Sequence, residues 1–281
     1  MPPSPTPHPL FPGNYPLHLE RRDLLQATAR PFINAVRGNF SAPRVLSCRD
    51  WWRTENQGPV GRCAGMGSSS CGEWLYRAAT GKLIHFNGHY SYIKAQKYTP
   101  TLYGRDGGST IHSNVEAAKN SGFCPEDWNG DGQVDYPLPP RYTTHIPEGA
   151  DEQAAKFKAQ GHSWLKSLDE WDAFLKSGQG PILVGAEWGN WGPDAQGCCD
   201  RFAGGGGGHA WFVCGWNDDL FGGSYEMVNS HGVRWGLNGF AYLTKRFVSQ
   251  MLQRSFTAAV GLSDLTTPEP RAVDWSTERY L

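Results

Sequence analysis

The sequence predicts an α+β fold of two packed lobes with a cleft between them, on three observations. Helical periodicity is gathered in the first half of the chain. Short β-rich runs bounded by Gly or Asn fill the second half. The composition, with 35 Gly, 20 Pro and 12 Trp among 281 residues, describes a loop-rich, aromatic-packed molecule rather than a helical bundle. A chain of this length buries a continuous apolar core without disulfides or metals as staples.

The elements follow in order. Residues 1–43 begin Pro-rich and are expected to be an extension, with Leu24, Leu25, Ala27, Ala29 and Ile33 allowing one short amphipathic helix. From Ala64 to Ala79, Met66, Cys71, Trp74, Leu75, Ala78 and Ala79 recur near helical spacing, so a largely buried helix is expected with Cys63 at its N-terminus. A second helix is expected over Ile111 to Asn120, closed by Gly122, and a third after the capping box Ser167-x-x-Glu170, ending near Gly178. Strands are expected in the apolar run Pro181 to Glu187, after His209, from Tyr225 and from Gly239. The polar, Pro-broken residues 262–281 are expected to be a tail, leaving 44–261 as the domain.

Charge and hydropathy exclude several function classes. With 26 Lys plus Arg against 27 Asp plus Glu, the formal charge is −1, which lacks the basic footprint of a nucleic-acid binder. No apolar run of about 18 residues suggests a membrane partner, and the opening residues lack the order of a secretory signal. Seven cysteines, an odd count, leave at least one thiol outside any internal bridge. The other six suit three bridges or a reduced state equally well.

Cys63 opens its helix after Gln-Gly-Pro-Val-Gly-Arg. A helix N-terminus and a neighbouring imidazolium both lower a thiol pKa, which makes the sulfur a nucleophile. Gln57 stands six positions earlier, within reach to join the Cys63 backbone N–H in holding an oxyanion. His209 follows five glycines and enters a strand, and Asn229 begins a segment whose amide can accept the His209 ring N–H and fix its tautomer. Singly, each residue has a bland reading: a buried core thiol, a loop histidine, a turn asparagine.

In order, Gln57, Cys63, His209 and Asn229, with the frame Asn229-Ser-x-Gly-x-x-Trp235-Gly-x-x-Gly239-Phe240, resemble the papain-like cysteine peptidases. The resemblance implies a helical lobe that supplies Gln57 and Cys63 and a β-barrel-like lobe that supplies His209 and Asn229. It further implies hydrolysis of peptide bonds in peptide or protein substrates, with no cofactor required. Departures are also visible. The half-cystine three residues before the nucleophile is replaced by Val60, the aromatic after it by Ala64, and the Trp that shields the His–Asn bond by His231. These departures motivate two alternatives: a catalytically weak papain-like binding or structural module, and a transpeptidase or ligase working through the same acyl-enzyme.

A separate segment, Asp127, Asn129, Asp131, Gln133 and Asp135, reproduces part of an EF-hand-type calcium loop. Leu138 replaces the expected bidentate acid and the flanks are not helical, so a structural calcium site competes with an Asx-rich turn. A zinc reading of Cys198, Cys199, His209 and Cys214 is disfavoured, because no Cys-x-x-Cys is present.

Overall fold

The computed structural model describes residues 42–268. The amphipathic helix expected within 1–43 lies outside the described residues. The first long element, α1 (Cys63–Thr80), is buried over most of its surface and ends where Gly81 takes the left-handed conformation at φ 72°. It crosses α2 (Gly88–Lys97) closely, because a Cβ at Gly65 would stand only 2.4 Å from the Gly88 carbonyl oxygen. Sequence periodicity missed α2. This helix, capped by the Asn87 side chain on the Tyr90 N–H, is buried from Gly88 to Gln96, with Ser91, Lys94 and Gln96 inside, so it shows no apolar stripe. Helix α3 (Ile111–Asn120) has the expected bounds and carries a Thr110–Ser113 capping box.

Four further pieces complete the chain as far as Lys176: β1 (Val45–Leu46), α4 (Ala150–Ala154), β2 (Ala159–Trp164) and α5 (Leu168–Lys176). Ser167 caps α5 at the Glu170 N–H as expected, whereas the Glu170 carboxylate reaches the Lys166 N–H rather than closing on Ser167. The strands β3 (Ile182–Glu187), β4 (Cys198–Cys199), β5 (Gly208–Asn217), β6 (Ser224–Val228) and β7 (Phe240–Thr244) follow, then α6 (Lys245–Leu252) and β8 (Ala258–Leu265).

The strands form one mixed sheet in the order β2-β8-β3-β5-β6-β7-β4, with β1 added to β5. Among the described residues the sheet is open, which corrects the barrel-like expectation. Its end strand β2 pairs only with β8 and is packed by α3, and the two-residue β4 pairs only with β7, so the ends do not meet. Strand β5 is central. Ala210, Phe212 and Cys214 face α1 in one apolar cluster, and Trp211 and Val213 face α5 and α6 in the other, the alternation of a strand covered on both faces, and the bulge between Val213 and Gly215 turns Trp216 to that second face as well. The expected domain edge at residue 261 falls inside β8, where Leu262 and Leu265 are buried while Asp264 points outward. Half of that strand looks like a polar tail for this reason.

No helix among the described residues is long and apolar enough to cross a membrane.

Candidate active site

Helix α1 and strand β5 pack against each other and bring Cys63, its first residue, to the start of β5, where the Ala210 N–H lies against the Cys63 sulfur. His209 is the residue just before Ala210. Its Nε2 donates to Asn229 Oδ1 at 2.8 Å, which places the ring proton on Nε2. Asn229 sits at the end of β6, where its N–H donates to the Gly239 carbonyl.

Gln57 is brought to the same place by a short pairing across the cleft. The Gln57 N–H donates to Ser230 O at 2.8 Å, the Gly232 N–H donates to Glu55 O at 2.9 Å, and Asn56 bridges His231. Ser230 Oγ donates to Gln57 Oε1 at 2.6 Å, and Gln57 Nε2 donates to the Val60 carbonyl at 3.1 Å. The carboxamide therefore has its oxygen tied down and its NH2 directed toward the turn that leads into Cys63. All four predicted residues are thus assembled at one end of α1, each at most 1% exposed.

The electrostatics differ from the sequence expectation. Burial pushes the Cys63 thiol up to about 12, outweighing the N–H groups of Ala210, Ala64 and Cys63 that favour the thiolate. Burial also pulls the His209 imidazole down to about 4, against the opposing hydrogen bond to Asn229. Desolvation thus penalises the charged form of each side chain, the thiolate and the imidazolium alike. The helix N-terminus favours the thiolate but does not prevail.

The sequence missed three residues at this site. Arg62, buried just before the nucleophile position, donates from Nε to the Gln57 carbonyl at 3.0 Å and from its terminal nitrogen to the Pro139 carbonyl at 2.9 Å. Ser230 is the second. Trp188, just past β3, sets its ring edge-on to His209 with centroids 4.4 Å apart, and also meets His231 and Trp235. Only Arg62 and Ser230 have a sequence signal, as direct neighbours of predicted residues; Trp188 is distant along the chain and converges only through the sheet.

No protein-family model and no curated protein matches the chain. Solved structures do. Xylellain, a cysteine protease from Xylella fastidiosa, superposes with a TM-score of 0.60 at 18% identity, over 80% of this chain and 87% of that one. Procathepsin B S9 from Trypanosoma congolense gives 0.64 at 13%, over 89% and 87%. The bromelain protease from Ananas comosus gives 0.57 at 17%, over 79% and 99%. The fold is that of the papain-like cysteine proteases. At these identities the likeness establishes the fold alone.

Away from this papain-like cleft, the Asp127 loop is organised by its own backbone. Asp127 accepts from the Gly130 and Gly132 N–H groups at 2.7 and 2.8 Å, Asp131 from the Gln133 N–H at 2.8 Å, Asn129 from the Asp131 N–H at 3.2 Å, and Asp135 from the Trp128 N–H at 2.7 Å. The backbone N–H groups that point at it, that of Gly132 foremost and then that of Gly130, hold the Asp127 carboxyl below its ordinary range. Gly130 and Gly132 both take positive φ, as such turns require.

Proposed function

We propose that the protein is a cysteine-type peptidase acting on peptide or protein substrates through Cys63, His209, Asn229 and Gln57. The observation that carries the proposal is the His209–Asn229 hydrogen bond of 2.8 Å at the strand start whose next N–H, that of Ala210, meets the Cys63 sulfur. Asn229 occupies Nε2, so the thiol proton passes to Nδ1. The Cys63 sulfur then attacks the scissile carbonyl carbon. The developing oxyanion is held by the Cys63 N–H, one of the unpaired donors of a helix start, and by Gln57 Nε2. His209 returns the proton to the departing amine, and a water activated by the same ring cleaves the acyl-enzyme.

This chemistry requires no cofactor. We assign the Asp127 loop, if it takes calcium, a structural role only, since none of its residues joins the network around Cys63 described above.

Burial of both reacting side chains favours a second reading, a papain-like module with little or no turnover. One experiment separates the two. A peptide epoxide directed at thiols is incubated with the protein, and the labelled residue is mapped by mass spectrometry, alongside peptide turnover by the wild type and Cys63→Ala. The peptidase reading requires label on Cys63 ahead of the other six thiols and turnover lost in Cys63→Ala. Uniform labelling, or turnover undiminished in that variant, would sink it.

A further inference from the structure

The Cys48 and Cys214 thiols play no part in the cleft chemistry. Strand β1 pairs with β5 in the register Val45↔Asn217 and Leu46↔Trp216, and the same register carried two residues further sets Cys48 opposite Cys214. The backbone ladder opens at this position. The Cys48 N–H donates instead to Glu226 Oε1 at 3.2 Å, and the Cys214 carbonyl accepts from Trp74 Nε1 at 3.2 Å. The two sulfurs and a Glu226 oxygen all lie within 4.8 Å of one another, and Cys48, Cys214 and Glu226 are each 1% exposed. Glu226 Oε1 lies 3.9 Å from the Cys48 sulfur and 3.5 Å from that of Cys214.

We propose that Cys48 and Cys214 are a redox pair that closes to a disulfide, stapling the segment that leads to Gln57 onto the strand that carries His209. The two sulfurs already lie within 4.8 Å of each other, one just past β1 and the other in β5, so side-chain rotation with a small backbone adjustment brings them to the bond length of about 2.05 Å. Glu226 favours this outcome over a metal centre. Its Oε1 already accepts from Ser47 Oγ at 2.9 Å and from the Cys48 N–H, and its Oε2 is held by Arg49 Nε at 2.7 Å. Those bonds survive oxidation of the thiols, whereas a metal would have to displace donors from Oε1. The cluster also supplies only three ligand atoms among the described residues, one short of a closed structural zinc site.

The oxidant is a low-molecular-weight disulfide of the glutathione type. One cysteine, as thiolate, attacks a sulfur of that disulfide, forming a mixed disulfide and expelling one small thiolate. The second cysteine then attacks the protein sulfur of the mixed disulfide and expels the other. Two electrons pass to the small disulfide, and the two thiol protons end on the two small thiols. Burial raises both cysteine pKa values, so exchange belongs to the folding chain or to a local opening of the β1 edge.

The test uses the full chain carrying Cys63→Ala, so that the cleft thiol cannot scramble bridges. It is refolded in a buffer of oxidised and reduced glutathione, blocked by alkylation under denaturing conditions, digested and mapped, and its zinc content is measured on a parallel sample. The expected result is a Cys48–Cys214 linked peptide. The oxidised protein should also melt several degrees above the reduced one, a difference absent when Cys48→Ser and Cys214→Ser are added. Free alkylated thiols at both positions, a melting shift that persists in the serine variants, or stoichiometric zinc shielding the two cysteines would each overturn the proposal. The peptide map is read on a chain with both cysteines, so it stands even if the serine variants fold poorly.

Discussion

His231 stacks on His209 with ring centroids 4.6 Å apart and planes 30° from parallel, and its Nδ1 accepts a 3.3 Å hydrogen bond from the Asn229 Nδ2 group. One carboxamide thus holds both rings, its oxygen on His209 and its nitrogen on His231. An imidazole at its ordinary pKa of about 6.5 gains charge near neutral pH. Here burial, then the proximity of His209, pull the His231 pKa down to about 2, so it stays neutral, and Trp188 covers His209 edge-on beside it.

His231→Phe should therefore keep the stacked ring and remove the acceptor for Asn229. Loss of one neutral hydrogen bond, about 1 kcal/mol, predicts a fall in kcat of about fivefold with both pH limbs of kcat/KM unmoved. An acid limb displaced in a folded variant would show that His231 acts through its charge.

Gln57→Ala removes a donor whose oxygen is already anchored by Ser230. The expected loss is about 10²-fold to 10³-fold in kcat, the effect of one oxyanion donor. A change confined to KM would assign Gln57 to substrate binding instead.

The raised thiol and lowered imidazole predict that alkylation of Cys63 by a small neutral reagent keeps accelerating as pH rises through 7 to about 9, because the thiolate is the reacting form. A rate already at plateau near pH 6 would reveal a resting thiolate–imidazolium pair.

Buried neutral histidines set an acid limit on stability. His89 and His209 are held at about 4, below the ordinary 6.5, so the unfolded chain binds more protons between those values and stability falls as pH drops through that window. Glu55 acts with the opposite sign. Burial, with Glu73 and Glu126 nearby, raises it from 4.5 to about 8, so the folded state binds more protons there and its contribution is lost as pH climbs toward 8. Glu55→Gln should accordingly raise the melting temperature relative to wild type more at pH 8 than at pH 5. Equal shifts at both values would show that Glu55 ionises normally.

Asp127→Ala removes the acceptor of two loop N–H groups and should lower the melting temperature with or without calcium. If the loop also takes calcium, millimolar calcium should raise the wild-type value and Asp131→Ala should abolish that rise. A wild-type melting temperature indifferent to calcium would leave the loop as an Asx-rich turn.

What the sequence determined by itself is local. The turn Gln57-Gly-Pro-Val-Gly-Arg-Cys63, the buried periodicity of α1, the Ser167 cap and the β-rich runs after His209, from Tyr225 and from Gly239 each depend on neighbours a few residues away, and each appears at its expected place. Tertiary structure decided the rest. Helix α2 is hidden from periodicity because it is buried on all sides, and the end of β8 because Ser263 and Asp264 read as polar tail while Leu262 and Leu265 on either side of them are buried. Trp188 shields His209 only because β3 and β5 pair with Ala186 opposite His209. The protonation state of the Cys63–His209 pair is likewise not in the motif: the residue types name a thiol and a base, whereas their charge at rest follows from how much water the packed lobes exclude, a sum over the whole surrounding structure.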